Sequence, residues 1–360
     1  MIIQEAAMQI ADLDTPIAVI DLDRVEANLK RWQDFCDEHG FANRPHIKTH
    51  KLAEFARLQV QLGAKGISCQ KLGEAEVMAD AGIDDILIPF NLVGAPKLAR
   101  AVALARRIRL ILVADHEEVS DPIGRAFAEA GLEVEMLVEC DTGAKRNGTQ
   151  SVEDTVRLAR HIAATPGLRF AGLLTYPPPG GQPNVVAFFG ETVARLKEHG
   201  IEAPILSSGG SPDMWTANEQ GPVTEHRPGT YIYGDRMQMR AGCIGLDDCA
   251  LTVLATVVSR PTADRAILDT GSKALTADLH GLNGYGRIME YPDAVIANLS
   301  EEHGHVDLSG VAGPRPRIGD KVRILPNHAC PVSNLYDQVA LCRNGQVERI
   351  VDVDARGRLA

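Results

Sequence analysis

Aromatic residues make up only 4% of this 360-residue chain, as eight Phe, two Trp and six Tyr. So few rings leave little from which to build base-stacking platforms for single-stranded nucleic acid. Basic charge is also short: 37 Lys and Arg stand against 48 Asp and Glu, a net charge of −11. An unpatterned negative surface repels both a nucleic-acid backbone and an anionic membrane, so neither partner is expected. Long apolar runs are missing, and stretches such as Leu110–Ala114 fall far short of the roughly 20 residues that cross a bilayer. The opening Met-Ile-Ile-Gln-Glu-Ala-Ala carries no basic segment ahead of an apolar one, so no secretory signal is legible. Seven cysteines (Cys36, Cys69, Cys140, Cys243, Cys249, Cys330 and Cys342) never form a C-x-x-C pair, which fits reduced thiols in the cytoplasm. Six read as small core hydrophobes; Cys330 stands apart because of its neighbours. Also absent is a G-x-G-x-x-G string after an early strand, which disfavours a doubly wound dinucleotide-binding sheet.

What is present is a globular composition, 45% hydrophobic and 24% charged. The length suits two domains, or one large barrel with an appendage. From Arg44 to Asp235 short apolar strands alternate with amphipathic helices. The strands are expected at Pro45–Lys48, Gly66–Cys69, Ile86–Pro89, Arg109–Val113, Glu133–Cys140, Phe170–Tyr176, Pro204–Ser208 and Thr230–Tyr233. Among the helices, Val185, Phe188, Phe189, Val193 and Leu196 recur at helical spacing. Eight strands with crossovers predict an α/β architecture, a (β/α)8 TIM-type barrel over residues 15–238. Residues 239–360, together with 1–14, predict a C-terminal all-β domain, with Asn344-Gly345 between alternating strands as its hairpin signal. The strand Pro16–Leu22 is expected to join that domain, followed by a helix capped by Asp23.

Four strings can carry chemistry. Arg44-Pro45-His46-Ile47-Lys48-Thr49-His50-Lys51 ends the first barrel strand, on the catalytic face of such a barrel. A lysine drawn inward there loses solvation, and its amine moves towards the nucleophilic form that a Schiff base requires. Asp141–Gly148 follows an apolar strand with two glycines and a cation, suited to an anion held near the backbone. The loops Ser207-Ser208-Gly209-Gly210-Ser211-Pro212 and Arg227-Pro228-Gly229-Thr230-Tyr231 fall where barrels bind phosphate, after strand seven and into strand eight. In Pro326-Asn327-His328-Ala329-Cys330-Pro331, an extended His-x-Cys would put imidazole and thiolate on one face, a pair best suited to zinc.

Together these strings resemble the fold-type III pyridoxal-phosphate enzymes with an alanine racemase-like N-terminal domain, within them the D-threonine aldolase and D-serine dehydratase family. The likeness runs through Cys69–Glu76, Arg227–Asp235, Asp269–Leu275, Ser300–Gly304 and Pro326–Asp337 as well. The resemblance implies a lyase bound to pyridoxal 5'-phosphate and to a divalent metal, zinc, manganese or magnesium. It makes Lys48 the cofactor-bearing lysine, Arg146 the neighbour of the cofactor's phenolic oxygen, and Tyr176 the neighbour of its pyridine ring. Ser207, Gly209, Gly210, Ser211, Gly229 and Thr230 match the phosphate cradle, and His328 and Cys330 the metal pair, with His328 also the candidate base. His-x-Cys departs from the His-x-Asp that many D-threonine aldolases carry and matches the dehydratases, whereas Pro331–Asp337 is similar to the aldolase side. The implied activity is cleavage of D-3-hydroxy amino acids to glycine and an aldehyde, with a D-serine or 3-hydroxyaspartate dehydratase as the alternative. A homodimer is implied too. A racemase, a non-catalytic cofactor carrier and a metal-only hydrolase are the rivals, and the metal pair and the β domain speak against the first two.

Overall fold

The computed structural model describes residues 8–360; the first seven residues of the segment 1–14, including the start read for a secretory signal, lie outside them. By contact the described chain divides into two units, one of 8–30, 49–51 and 230–356, the other of 31–48, 52–229 and 357–360.

The second unit is the α/β barrel. Eight parallel strands follow one another in the order Ala42–Asn43, Glu225–His226, Ile205–Ser208, Leu168–Thr175, Val134–Cys140, Arg109–Ala114, Asp85–Leu87 and Ile67–Ser68. A parallel bridge from His46 to Ser68 joins the last to the first and closes the ring. Helices such as Ala95–Ala105, Val152–Ala164 and Gln182–Glu198 supply the crossovers. Val152–Ala164 shows why they form. Ser151 caps it by accepting from Asp154 N at 3.1 Å, and Val156, Leu158, Ala159 and Ile162 bury one stripe. The barrel interior is aliphatic at mid-height, where Leu87, Ile111, Val113, Leu137, Ala171, Leu174 and Ile205 pack together. Gly172 holds φ +142°, and a Cβ there would lie 1.8 Å from Ile205 O, so the wall can bulge beside Met136 and Leu137 only around glycine.

Two expected strands move. Pro45–Lys48 is not a strand: the first strand is Ala42–Asn43, His46 makes a single bridge, and Ile47–Thr49 is a 3-10 turn. Likewise the eighth strand is Glu225–His226, and Thr230–Ile232 is a 3-10 turn. Both apolar runs are buried, so their hydrophobicity reports burial rather than extension.

The other unit is a nine-stranded sheet. Leu251–Thr262, Arg265–Leu268, Gly304–Asp307, Val295–Leu299, Arg287–Ile288 and Lys321–Leu325 pair in a ring, because Leu251–Thr262 bonds both Arg265–Leu268 and Lys321–Leu325. Ile17–Asp21 adds to it as expected, antiparallel to Leu251–Thr262 and parallel to Gln338–Arg343. Gln338–Arg343 and Gln346–Asp352 form the expected hairpin, with Asn344 at φ 52° and Gly345 at φ 79°. The helix that follows the first strand spans Leu22–His39, and its start is capped by Asp21, which accepts from Arg24 N at 3.1 Å, rather than by Asp23. Ala329–Leu335 is a helix with His328 as its N-cap, so His328 and Cys330 do not share a strand face.

Candidate active site

At the ends of the barrel strands the small-residue loop after Ile205–Ser208 is held tightly. Gly209 adopts φ +85°, and a Cβ on it would lie 1.7 Å from the His226 ring; a Cβ on Gly210 would lie 2.8 Å from the Tyr176 ring. Glycine is therefore required twice where the loop turns. His226 is fully buried, its Nε2 donates to Gly210 O at 3.0 Å, and burial pushes its pKa down to about 4, so the ring is neutral. Gly229 N donates to Ser211 Oγ at 3.2 Å, tying the two loops together. Ser208 Oγ is buried with no hydrogen-bond partner among the described residues. A cradle that only glycine fits, with an unused buried hydroxyl, suits a phosphate.

Tyr176 and Arg146 come together as well, with the guanidinium carbon 5.0 Å from the ring centroid. The loop bearing Arg146 is pinned by Asp141, whose carboxylate accepts from Gly143 N at 2.9 Å and Lys145 N at 3.1 Å. Arg146 Nε donates to Asn147 Oδ1 at 3.0 Å, and Asn147 Nδ2 donates to Glu139 Oε2 at 2.5 Å. Glu139 sits in the strand Val134–Cys140, two residues beyond the core residue Leu137 and on its face. Burial pushes its pKa up to about 7, against the pull of Arg146 and Arg227. Arg227 is fully buried, donates to Ser207 Oγ at 2.5 Å and Thr175 O at 2.6 Å, and is pushed by burial down to about 10. Lys48 is half-buried in its turn, where its backbone N donates to His46 Nδ1 at 3.3 Å. Arg227 heads one of the loops picked out in the sequence, but Glu139 and His226 do not stand out there, although acids at 135 and 139 in an otherwise apolar strand were a signal on one face.

In the β unit a second cluster forms. Ligand atoms of Asp278, His280 and His328 lie within 4.8 Å of one another. His328 Nδ1 is 3.0 Å from Asp278 Oδ2, and His280 Nε2 is 3.3 Å from His328 Nδ1. Imidazoles with a carboxylate are a sound donor set for a divalent transition metal. Burial opposes charge on His328, yet Cys330, Asp278 and Asp235 outweigh it and raise its pKa to about 9. The ring must therefore release a proton to bind a cation. Cys330 Sγ lies 3.1 Å from Thr49 Oγ1 and 3.5 Å from Thr230 Oγ1. It is the half-buried cysteine, while the other six are buried as expected. Thr230, matched above to the phosphate cradle, thus turns its hydroxyl to this thiol. Asp278 and His280 were not legible because some fifty residues, with four strands among them, separate them from His328.

Comparisons with known proteins follow the same division. Residues 20–237 match the alanine racemase N-terminal domain, and residues 250–342 the putative serine dehydratase domain. A D-threonine aldolase of Arthrobacter sp. is 35% identical over 97% of this chain and 94% of its own length. A D-threo-3-hydroxyaspartate dehydratase of Delftia sp. (strain HT23) is 33% identical over 93% of this chain and 96% of its own. The crystal structure of a D-threonine aldolase from Filomicrobium marinum superposes with a TM-score of 0.91 at 32% identity, covering 98% of this chain and 99% of that one.

Proposed function

The chain belongs to the pyridoxal-phosphate lyases of the D-threonine aldolase and D-serine dehydratase family, and on that premise we propose that it cleaves D-3-hydroxy amino acids to glycine and an aldehyde. The observation that carries this reading is the cluster of Asp278, His280 and His328, because a reaction at a β-hydroxyl uses a Lewis acid and racemisation does not. Lys48 would hold the cofactor, Arg146 would serve its phenolic oxygen and Tyr176 its pyridine ring, and Ser207, Gly209, Gly210, Ser211, Gly229 and Thr230 would serve its phosphate. Pyridoxal phosphate supplies an electron sink for the bond broken at the substrate's Cα. His328 and Cys330 would hold a divalent cation, with Asp278 and His280 beside them, and such a cation would supply a Lewis acid for the β-hydroxyl. The hydroxyl proton would pass to His328 or to a hydroxide held beside it, with His328 Nδ1 steadied by Asp278 at 3.0 Å. The enzyme acts as a cytoplasmic homodimer.

A second reading rests on Cys330, which matches the dehydratases: Lys48 would then take the Cα proton and the β-hydroxyl would leave. Incubation of the purified protein with D-threonine separates the two. Acetaldehyde and glycine are expected; 2-oxobutanoate and ammonia would assign elimination instead. Activity undiminished by EDTA would remove the metal from the reaction, and with it the preference for a lyase over a racemase.

A further inference from the structure

Apart from the residues proposed for cofactor and metal, one pair of neighbouring cations in the β unit, Arg236 and Arg287, forms no ion pair among the described residues. Arg287 begins the short strand Arg287–Ile288, in which Ile288 turns into the core at 2% exposure. Alternation sends Arg287 to the opposite face. Its side chain is half-buried, its Nε is withdrawn from water without a hydrogen-bond partner, and its guanidinium forms no ion pair among the described residues. Arg236 stands beside it, and burial together with Arg287 pushes its pKa below the ordinary arginine value. Among the described residues the Arg236 guanidinium bonds only neutral oxygens: Asn327 Oδ1 at 2.7 Å, Asn283 O at 3.0 Å and Gly284 O at 3.4 Å. Both guanidinium groups line a cavity of about 180 Å³, walled by Met239, Pro292 and Val295.

A guanidinium stays charged at any working pH, so the repulsion cannot be relieved by deprotonation. Withdrawing one from water beside a second costs stability unless an anion enters. The cavity is smaller than the roughly 300–1,000 Å³ of sites for drug-sized ligands, so its occupant is small. In a protein of net charge −11 such a spot is local and not part of a basic surface. We propose that Arg236 and Arg287 form a binding site for a small oxyanion, a carboxylate or a phosphate, held between the two guanidinium groups. The planar fork of Arg287 matches either group bidentately. The site does not depend on the reading of the cofactor end.

The test is titration calorimetry of the cofactor-loaded protein with inorganic phosphate and, separately, with succinate, at fixed ionic strength in chloride. One saturable site is expected for at least one anion. It weakens by about tenfold or more in Arg287→Gln and by less in Arg287→Lys, which keeps the charge but loses the planar fork. Phosphate binding without succinate binding, or the reverse, identifies the source of the oxyanion. In anion-poor buffer Arg287→Gln should unfold at the same or a higher temperature than the parent, because an unpaired charge has been removed. No saturable binding, or equal binding in Arg287→Gln, overturns the proposal. So does a lowered unfolding temperature, which would give Arg287 a structural role. An oligomer that dissociates in Arg287→Gln while the parent binds neither anion also overturns it, and would hand Arg287 to a carboxylate of a second copy.

Discussion

The two ends of the barrel use the same side chains to opposite effect. At the starts of the strands Arg109 and Arg169, with Arg44 just past the two-residue first strand, meet Asp85, Glu135 and Glu225 at 2.5 to 2.9 Å. Burial pushes the two glutamates up, yet their arginines outweigh it, and both end below the ordinary carboxylate range. At the other end Arg146 stays 3.8 Å from Glu139, and there burial wins. Tightly closed pairs fasten strand to strand; loosely neutralised groups leave charge available to a ligand. The thread between them is short: Glu225 accepts from Ser207 Oγ at 2.6 Å, and Ser207 accepts from Arg227 at 2.5 Å.

The largest effect should come from the ligand end. Lys48→Ala is expected to lower lyase activity by about 10⁴-fold or more, with loss of the visible absorbance of bound cofactor, while the unfolding temperature moves little. A variant that kept a tenth of the activity would break the contrast, since the half-buried lysine would then be only a turn residue.

Next in size is the closed end. Arg44 is fully buried between Glu225 and Asp85. Arg44→Met strands Glu225, 1% exposed, without its cation, and should cost about 3–5 kcal/mol in urea unfolding. Activity per folded molecule should hold. Unchanged unfolding, or an activity loss larger than the stability loss explains, would erase the distinction between the ends.

How much of this contrast was legible depends on whether a feature is local in sequence. The Lys48 string, the glycine loops and the Asn344-Gly345 hairpin each announce themselves within a few residues, and each lies where local chemistry requires it. The six middle barrel strands were legible for the same reason. The outer two were not: Pro45 and Pro228 have no N–H for a sheet ladder, and the buried runs beside them fold as turns. The cluster of Asp278, His280 and His328 joins residues some fifty positions apart, and a meeting over that distance leaves no mark in spacing. The cap at Asp21 rather than Asp23 is a shift of two residues that only the Arg24 N–H settles.

The finest test of the contrast is the titration of Glu139. Its folded pKa of about 7 lies above the ordinary glutamate value of 4.5. Between those values the folded chain keeps a proton that the unfolded chain has lost, so this group makes stability fall as pH rises from about 4.5 to 7, and level off above. The full swing is at most about 3 kcal/mol. His226 works in the opposite sense: with a folded pKa of about 4 against 6.5, it makes stability rise between those values, so the two partly cancel in the parent. Glu139→Gln keeps the shape and a hydrogen-bonding partner for Asn147 but carries no proton to lose. Parent and variant, compared by urea unfolding from pH 4.5 to 8, should therefore differ by an amount that drifts against the parent up to pH 7 and is constant beyond. If the difference is flat throughout, Glu139 titrates like any surface glutamate, and Arg146 and Arg227 neutralise it as fully as Arg44 does Glu225.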